Sequence, residues 1–170
     1  MMLLRSLVPI TAVAVLTLVA IMPWGLPAED RFVLPLFPVV AIYYWTLDRE
    51  SWLPEWAVFL AGLLLDVLTQ GPLGYWALIY LVAYVVAVMA SRARVETATA
   101  RLALFAGAVI AVAAFAWLAA SAYFLDLLDL GPYVRGAVVA VLAACVISLM
   151  ASAFRTTGKP ARPGRLTRGQ

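Results

Sequence analysis

The stretch GLLLDVLTQGPLGYWAL, residues 62–78, governs the fold of this chain. It places one carboxylate, Asp66, inside a strongly apolar segment and follows it with Gly71 and Gly74. A charged side chain at the centre of a bilayer costs about 2.5–3.5 kcal/mol on insertion scales, and less near the interface. An apolar residue would avoid that cost, so a nearby group is expected to compensate the carboxylate.

The composition indicates a membrane protein. Of the 170 residues, 66% are hydrophobic and 12% are charged, whereas soluble domains average about 45–50% and about 25%. A soluble all-α domain would lack the polar surface to coat such a chain. The net charge of +3 is divided between loops and the C-terminal tail rather than gathered on one face, so no nucleic-acid partner is expected.

The chain is poor in the side chains that most enzymes need. It has no histidine, a single cysteine at Cys145 and a single lysine at Lys159. These counts exclude an intrachain disulfide, a zinc site of the usual Cys/His type and a histidine base. The sequence therefore predicts no catalytic residue, no metal site and no cofactor.

Six apolar segments predict an all-α, polytopic membrane protein with six transmembrane helices. The segments cover residues 6–26, 32–47, 54–69, 72–90, 101–125 and 133–153. A bilayer core of about 30 Å takes about 20 helical residues. The second and third segments are short, and are expected to form a hairpin with interfacial ends or with local thinning of the bilayer. Residues 1–28 have an alternative interpretation as a signal peptide, although their apolar run is long for one.

The positive charges predict the orientation, because Lys and Arg favour the cytoplasmic side. With six spans and a cytoplasmic N-terminus, only Arg31 and Arg135 fall outside, and the other ten of the twelve fall inside. Both termini are therefore expected in the cytoplasm. Residues 1–154 would form the transmembrane domain. Residues 155–170, rich in Gly, Pro and Arg, would form a basic, disordered cytoplasmic tail.

The turn after the third segment offers the compensation that Asp66 needs. Pro72 suits the first position of a helix, and free amides near residues 73 and 74 would point back toward the carboxylate. Gly71 would permit the tight reversal, and Gly62 would allow a neighbouring helix to approach closely. Asp66 is thus interpreted as a staple of the hairpin formed by the third and fourth segments. A contact with a partner's membrane helix and the lining of a small polar cavity remain alternatives.

Small residues recur at every fourth position of the last segment and form a nearly straight row. This row, here called the α6 row, consists of Gly136, Ala140, Ala144, Ser148 and Ser152. Close contacts of small residues bring helices together in lipid. The α6 row is expected either to pack the last helix against its neighbours or to form a seam for a partner. The fifth segment repeats the spacing at residues 103, 107 and 111.

The hairpin resembles the signature of the MreD family, the rod shape-determining membrane proteins of bacteria. The matching pattern is Gly62-x3-Asp66-x4-Gly71-Pro-Leu-Gly74-x2-Ala77-Leu78. The preceding PVVAIYYW, residues 38–45, is similar to the family's segment before a short cytoplasmic loop. The resemblance is strongest over residues 35–90 and rests on hydropathy elsewhere.

The resemblance implies a non-enzymatic scaffold of the elongation machinery in the bacterial inner membrane. Such a protein would bind MreC beside membrane lipid. It would help to couple the MreB filament, indirectly, to peptidoglycan synthesis by RodA and a class B penicillin-binding protein, and so maintain rod shape.

The family is also similar in fold to the substrate-binding subunits of energy-coupling-factor vitamin transporters, which supplies an alternative function. A vitamin site needs several converging polar groups, and those subunits carry an Ala-x3-Ala pattern on the first helix. Here Ala12 is followed by Leu16, and Ala14 by Leu18, so that pattern is absent. An intramembrane enzyme is a third class, and the chain lacks the His, the intramembrane Lys and the paired carboxylates it would use.

Overall fold

The computed structural model describes residues 2–22, 24–25, 33–47, 53–93 and 97–157, and the side chains of 7–22, 24–25, 33–47, 53–93, 97 and 99–146. Within these ranges the chain is helical and contains no strand. The six helices are α1 (Met2–Ile21), α2 (Leu36–Leu47), α3 (Glu55–Thr69), α4 (Tyr75–Arg92), α5 (Ala98–Phe124) and α6 (Gly131–Thr157). The predicted all-α class is confirmed for this part of the chain.

Helix boundaries depart from the predicted segments at several points. α1 ends at Ile21 instead of residue 26, and α2 begins at Leu36 because residues 33–35 form a turn. α6 runs to Thr157 and so includes the first three residues of the predicted tail. The remainder of that tail, residues 158–170, lies outside the described residues.

The bundle is organised around α4, which packs against α2, α3 and α5. α1 lies against α2 and α3, while α6 contacts α5 and α2. α4 turns Ala77, Ala83 and Ala87 toward its neighbours, and all three are buried. These small side chains let helix backbones approach closely, which is how helices associate in lipid.

Large apolar side chains also cover the outside of the bundle. Leu60, Val85, Ile110 and Val138 are each about half exposed or more. Exposed apolar surface of this extent marks contact with a membrane or with a partner. The outer surface is therefore suited to lipid on several sides.

The helices differ in their capacity to cross a membrane. Among the described residues, two stretches are long and apolar enough by length and composition, Tyr75–Arg92 and Thr99–Phe124. Shorter apolar stretches occupy Leu7–Ile21, Leu36–Leu47 and Gly131–Val146. α2 has 12 residues and α3 has 15, so the predicted shortness of these two helices is confirmed. The predicted hairpin between them is wrong, because α2 packs mainly against α4 and α1, while α3 pairs with α4.

Candidate functional site: the α3–α4 hairpin

The Asp66 carboxylate sits at the start of α4 and is completely buried. Its Oδ2 accepts the backbone N–H of Gly74 at 2.9 Å and that of Ala77 at 3.4 Å, while Oδ1 accepts the N–H of Trp76 at 2.8 Å. The first amides of a helix have no partner within the helix, and the helix dipole makes that end positive. Asp66 thus caps α4 from the preceding helix, and each bond is charge-assisted.

The prediction that Pro72 opens α4 is wrong. The helix begins at Tyr75, and Pro72 lies in the preceding turn with its carbonyl accepting the Tyr75 N–H at 3.1 Å. Gly74 has φ +93°, which lies outside the helical region, so regular helix can start only after it. Of the predicted capping amides near residues 73 and 74, that of Gly74 is confirmed, and the other two lie further along the chain, at Trp76 and Ala77.

The prediction that Gly71 permits the reversal is also wrong. The left-handed residue that ends α3 is Gln70, with φ 53° and ψ 30°. The N–H of Gln70 donates to the Val67 carbonyl at 3.4 Å, and the N–H of Gly71 donates to the Asp66 carbonyl at 3.2 Å. This pair of bonds is a Schellman motif, in which the left-handed residue is usually glycine. The glycine requirement therefore falls on position 70, where the chain carries glutamine.

Replacing Gln70 with glycine is expected to stabilise the protein. A non-glycine residue in the left-handed region costs about 1 kcal/mol, and Gln70 is exposed, so its side chain adds little packing in return. Gln70→Gly should raise the free energy of unfolding in detergent by about 0.5–1 kcal/mol. Gln70→Ala serves as the control, because it removes the same side chain without relieving the backbone. Equal stability of the two variants would contradict the expectation.

Gly62 brings the backbones of α3 and α4 into direct contact. A Cβ atom at this position would lie 2.4 Å from Ala77 Cα, 2.6 Å from Ala77 N and 2.7 Å from the Trp76 carbonyl oxygen. All three atoms are backbone, so no side-chain movement can make room. This close approach, one turn before Asp66, holds the carboxylate within hydrogen-bonding distance of the α4 amides.

The hairpin is held to the rest of the bundle by tyrosine hydroxyls that the sequence analysis did not single out. Tyr80, fully buried in α4, donates to the Pro35 carbonyl at 2.9 Å, and Tyr75 donates to the Ala116 carbonyl of α5 at 3.1 Å. Among the described residues, every buried side-chain N or O atom has a hydrogen-bond partner. A tyrosine within an apolar helix is the signal that could have located these ties, since a buried hydroxyl needs an acceptor.

The α6 row faces the interior over the part whose side chains are described. Gly136, Ala140 and Ala144 are buried, and α6 packs on α5 and α2. Ser148 and Ser152 belong to α6, but their side chains lie outside the described part of the chain. In contrast, Ala103, Gly107 and Ala111 of α5, here called the α5 row, are exposed along their length. The same spacing therefore serves internal packing in α6 and leaves an open surface in α5.

Enlarging the α6 row is expected to loosen the bundle itself. Ala144 is wholly buried, and inserting extra methylenes into a packed position costs about 1–3 kcal/mol. Ala144→Leu should lower the free energy of unfolding by that amount, measured by denaturant titration in detergent micelles. Val146→Leu, at a position 55% exposed two residues further along α6, should leave it within about 0.5 kcal/mol. An Ala144→Leu variant as stable as the parent would refute the inward orientation of the row.

The described residues contain no group of three or more His, Cys, Asp or Glu side chains placed to hold a metal ion. A family model described as the rod shape-determining protein MreD matches residues 1–154 of the chain. Neither a curated protein nor a solved structure matches it.

Proposed function

Because this chain belongs to the MreD family of rod shape-determining proteins, we propose that it is a non-enzymatic scaffold of the bacterial inner membrane. It crosses the bilayer six times with both termini in the cytoplasm, where ten of its twelve positive charges then fall. It binds MreC and helps to couple MreB filaments to RodA and a class B penicillin-binding protein. Peptidoglycan synthesis is thereby organised along the length of a rod-shaped cell.

The family match over residues 1–154 is the observation that carries this proposal, because it spans all the predicted membrane segments. Involvement in rod shape follows from the family, and the six helices supply a body with apolar outer faces. The Asp66 cap and the Gly62 contact lock α3 to α4. A scaffold benefits from such rigidity, since its partners must be held in a fixed arrangement.

The α5 row and the adjoining α5–α6 groove are suited to a partner's transmembrane helix. A Cβ at Gly107 would meet nothing within 4 Å, so the row is open in the isolated chain. Beside it, α5 and α6 flank an apolar groove of about 460 Å³, whose walls include Ile110, Ala114, Val134 and Val138. Small residues and a dry groove provide the close packing that drives helix association where no hydrophobic effect operates.

Gentle detergent purification followed by identification of the associated proteins tests the proposal. MreC, recognisable as a membrane-anchored coiled-coil protein, should come along, and Gly107→Leu should reduce its recovery several-fold while leaving the melting temperature unchanged. Val85→Leu, at an exposed position of α4 outside this surface, is the control and should retain MreC. A purified chain that carries a bound vitamin and no MreC would overturn the scaffold in favour of a transporter subunit.

The orientation is tested separately on intact cells. A single cysteine placed in the C-terminal tail of a Cys145→Ala variant should resist a membrane-impermeant maleimide until the cells are opened. A cysteine at Asp126, in the loop after α5, should react in intact cells. Labelling of the tail in intact cells would refute the six-span layout.

A further inference from the structure

The contact between Gly62 and Ala77 fixes the relative heights of residues on α3 and α4. The two helices run antiparallel. Glu55, seven residues before Gly62, therefore lies at the same height along the helix axes as Tyr84, seven residues after Ala77. α4 continues for another eight residues to Arg92, which is about 12 Å at 1.5 Å per residue. The start of α3 therefore lies well short of the corresponding end of α4.

The outward face of α3 is apolar but short. Trp56, Leu60 and Leu64 are exposed along it, and the exposed polar residues Glu55 and Gln70 bound it. The distance between these two polar residues along the helix is about 22 Å, whereas a bilayer core is about 30 Å thick. The apolar face of α3 is thus too short for an unperturbed bilayer.

α5 presents a full-height apolar face on another side of the bundle. From the exposed Arg101 to its end at Phe124, the helix rises about 35 Å. The exposed Asp126 follows in the next loop. Leu104, Ile110 and Leu118 are exposed between them. The apolar belt of the protein is consequently uneven, reaching the bilayer thickness at α5 and falling short of it at α3.

We infer that the protein thins the lipid bilayer beside α3, and that it does so in the leaflet that meets the start of α3. In the proposed layout, on which this inference rests, that is the cytoplasmic leaflet. A flat leaflet level with Arg92 would submerge the exposed Glu55 carboxylate by about 12 Å, where a charged group is costly. Headgroups that rise to Glu55 remove this cost.

Trp56 supports the same height for the interface. Its side chain is 58% exposed, and tryptophan is enriched at the level of the lipid headgroups. Arg92 and Trp56 then mark one continuous interface that climbs from the end of α4 to the start of α3. Lipid covers the apolar face of α3, and the bilayer there is thinned to match the height of that face, about 22 Å.

Spin-label depth measurements on the full chain in dioleoyl phosphatidylcholine–phosphatidylglycerol vesicles test this inference. Single cysteines are placed at Trp56 on α3 and at Val85 on α4, in a Cys145→Ala background. Val85 is 54% exposed and lies within about 3 Å of the height of Trp56, so a flat bilayer would give both labels nearly equal depth. We expect the label at 56 to collide with an aqueous nickel chelate at least three-fold more often than the label at 85.

A second pair of labels separates the outcomes. Leu64 on α3 and Ile110 on α5 should both be protected from the chelate and accessible to oxygen, as groups in hydrocarbon are. Equal depths at 56 and 85, with Leu64 protected, would overturn the thinning and leave the six-span layout intact. Exposure of the Leu64 label to the chelate would overturn both, because α3 would then lie outside the bilayer. A further pair of labels leaves Trp56 and Glu55 unchanged. The label at Phe59 on α3 should lie at a shallower depth in the bilayer than the label at Val82 on α4. Equal depths at 59 and 82 would also refute the thinning.

Discussion

Gly62→Ala is expected to unfold the hairpin or to prevent the protein from accumulating. The added methyl would lie 2.4 Å from Ala77 Cα, so α3 and α4 would have to separate by about 1 Å to restore ordinary contact. Separation would also stretch the three hydrogen bonds of Asp66, which lies one turn further along α3. We expect a loss of about 3 kcal/mol or more, at or beyond the upper end for overpacked sites.

Gly107→Ala provides a matched control for that variant. Both glycines lie in the interior of a helix, but a Cβ at Gly107 would meet nothing within 4 Å. Alanine is favoured over glycine inside a helix by about 0.5–1 kcal/mol, so this variant should be as stable as the parent or slightly more stable. Denaturant titration in detergent, together with the protein level in membranes, measures both. A Gly62→Ala protein of parental stability would show that the two helices do not approach as described.

Asp66→Leu is expected to have the second large effect. The variant leaves the buried N–H groups of Trp76 and Ala77, and the partly buried N–H of Gly74, without their acceptor. Each buried group left in this way costs about 1–3 kcal/mol. Asp66→Asn retains one oxygen acceptor while losing the charge and the second acceptor. We therefore expect a loss of about 4 kcal/mol for leucine and about 1–2 kcal/mol for asparagine.

Asp126→Asn controls for the loss of a carboxylate as such. Asp126 is exposed in the loop after α5, and surface substitutions of this kind change stability by about 0.5 kcal/mol or less. The expected order of stability is therefore the parent and Asp126→Asn together, then Asp66→Asn, then Asp66→Leu. Thermal unfolding in detergent and the recovery of rod shape in complemented cells should follow the same order. Equal, negligible effects at position 66 would remove Asp66 from any structural role.

Much of the hairpin could be predicted because its polar residues stand out against an apolar background. One carboxylate before a Gly-Pro turn has few acceptable partners, and free helix amides are the nearest. The details were less accessible, because the position at which a helix starts depends on backbone angles. Glycine at 71 and at 74 look alike in the sequence, yet only Gly74 adopts a positive φ.

Which face of α5 and which face of α6 points into the bundle could not be predicted from the sequence, because both helices are rich in alanine. The α5 and α6 rows have the same four-residue spacing, and the helices are apolar on every side. Periodicity therefore does not distinguish an inward face from a lipid-facing one. Only packing decides it, since Ala144 is buried against neighbours and Gly107 is open. The tyrosine ties were missed for a related reason, because their acceptors are backbone carbonyls that any residue supplies.

The Asp66 cap also constrains the order of events during biosynthesis. Its donors follow it in the chain by eight to eleven residues, so the carboxylate leaves the ribosome before any of them. In the proposed layout, in which α3 crosses the membrane, an α3 released alone by the translocon would expose this carboxylate to lipid without hydrogen-bond donors. We therefore expect α3 to wait at the lateral gate until α4 has emerged, so that the two enter the bilayer as one inserted pair.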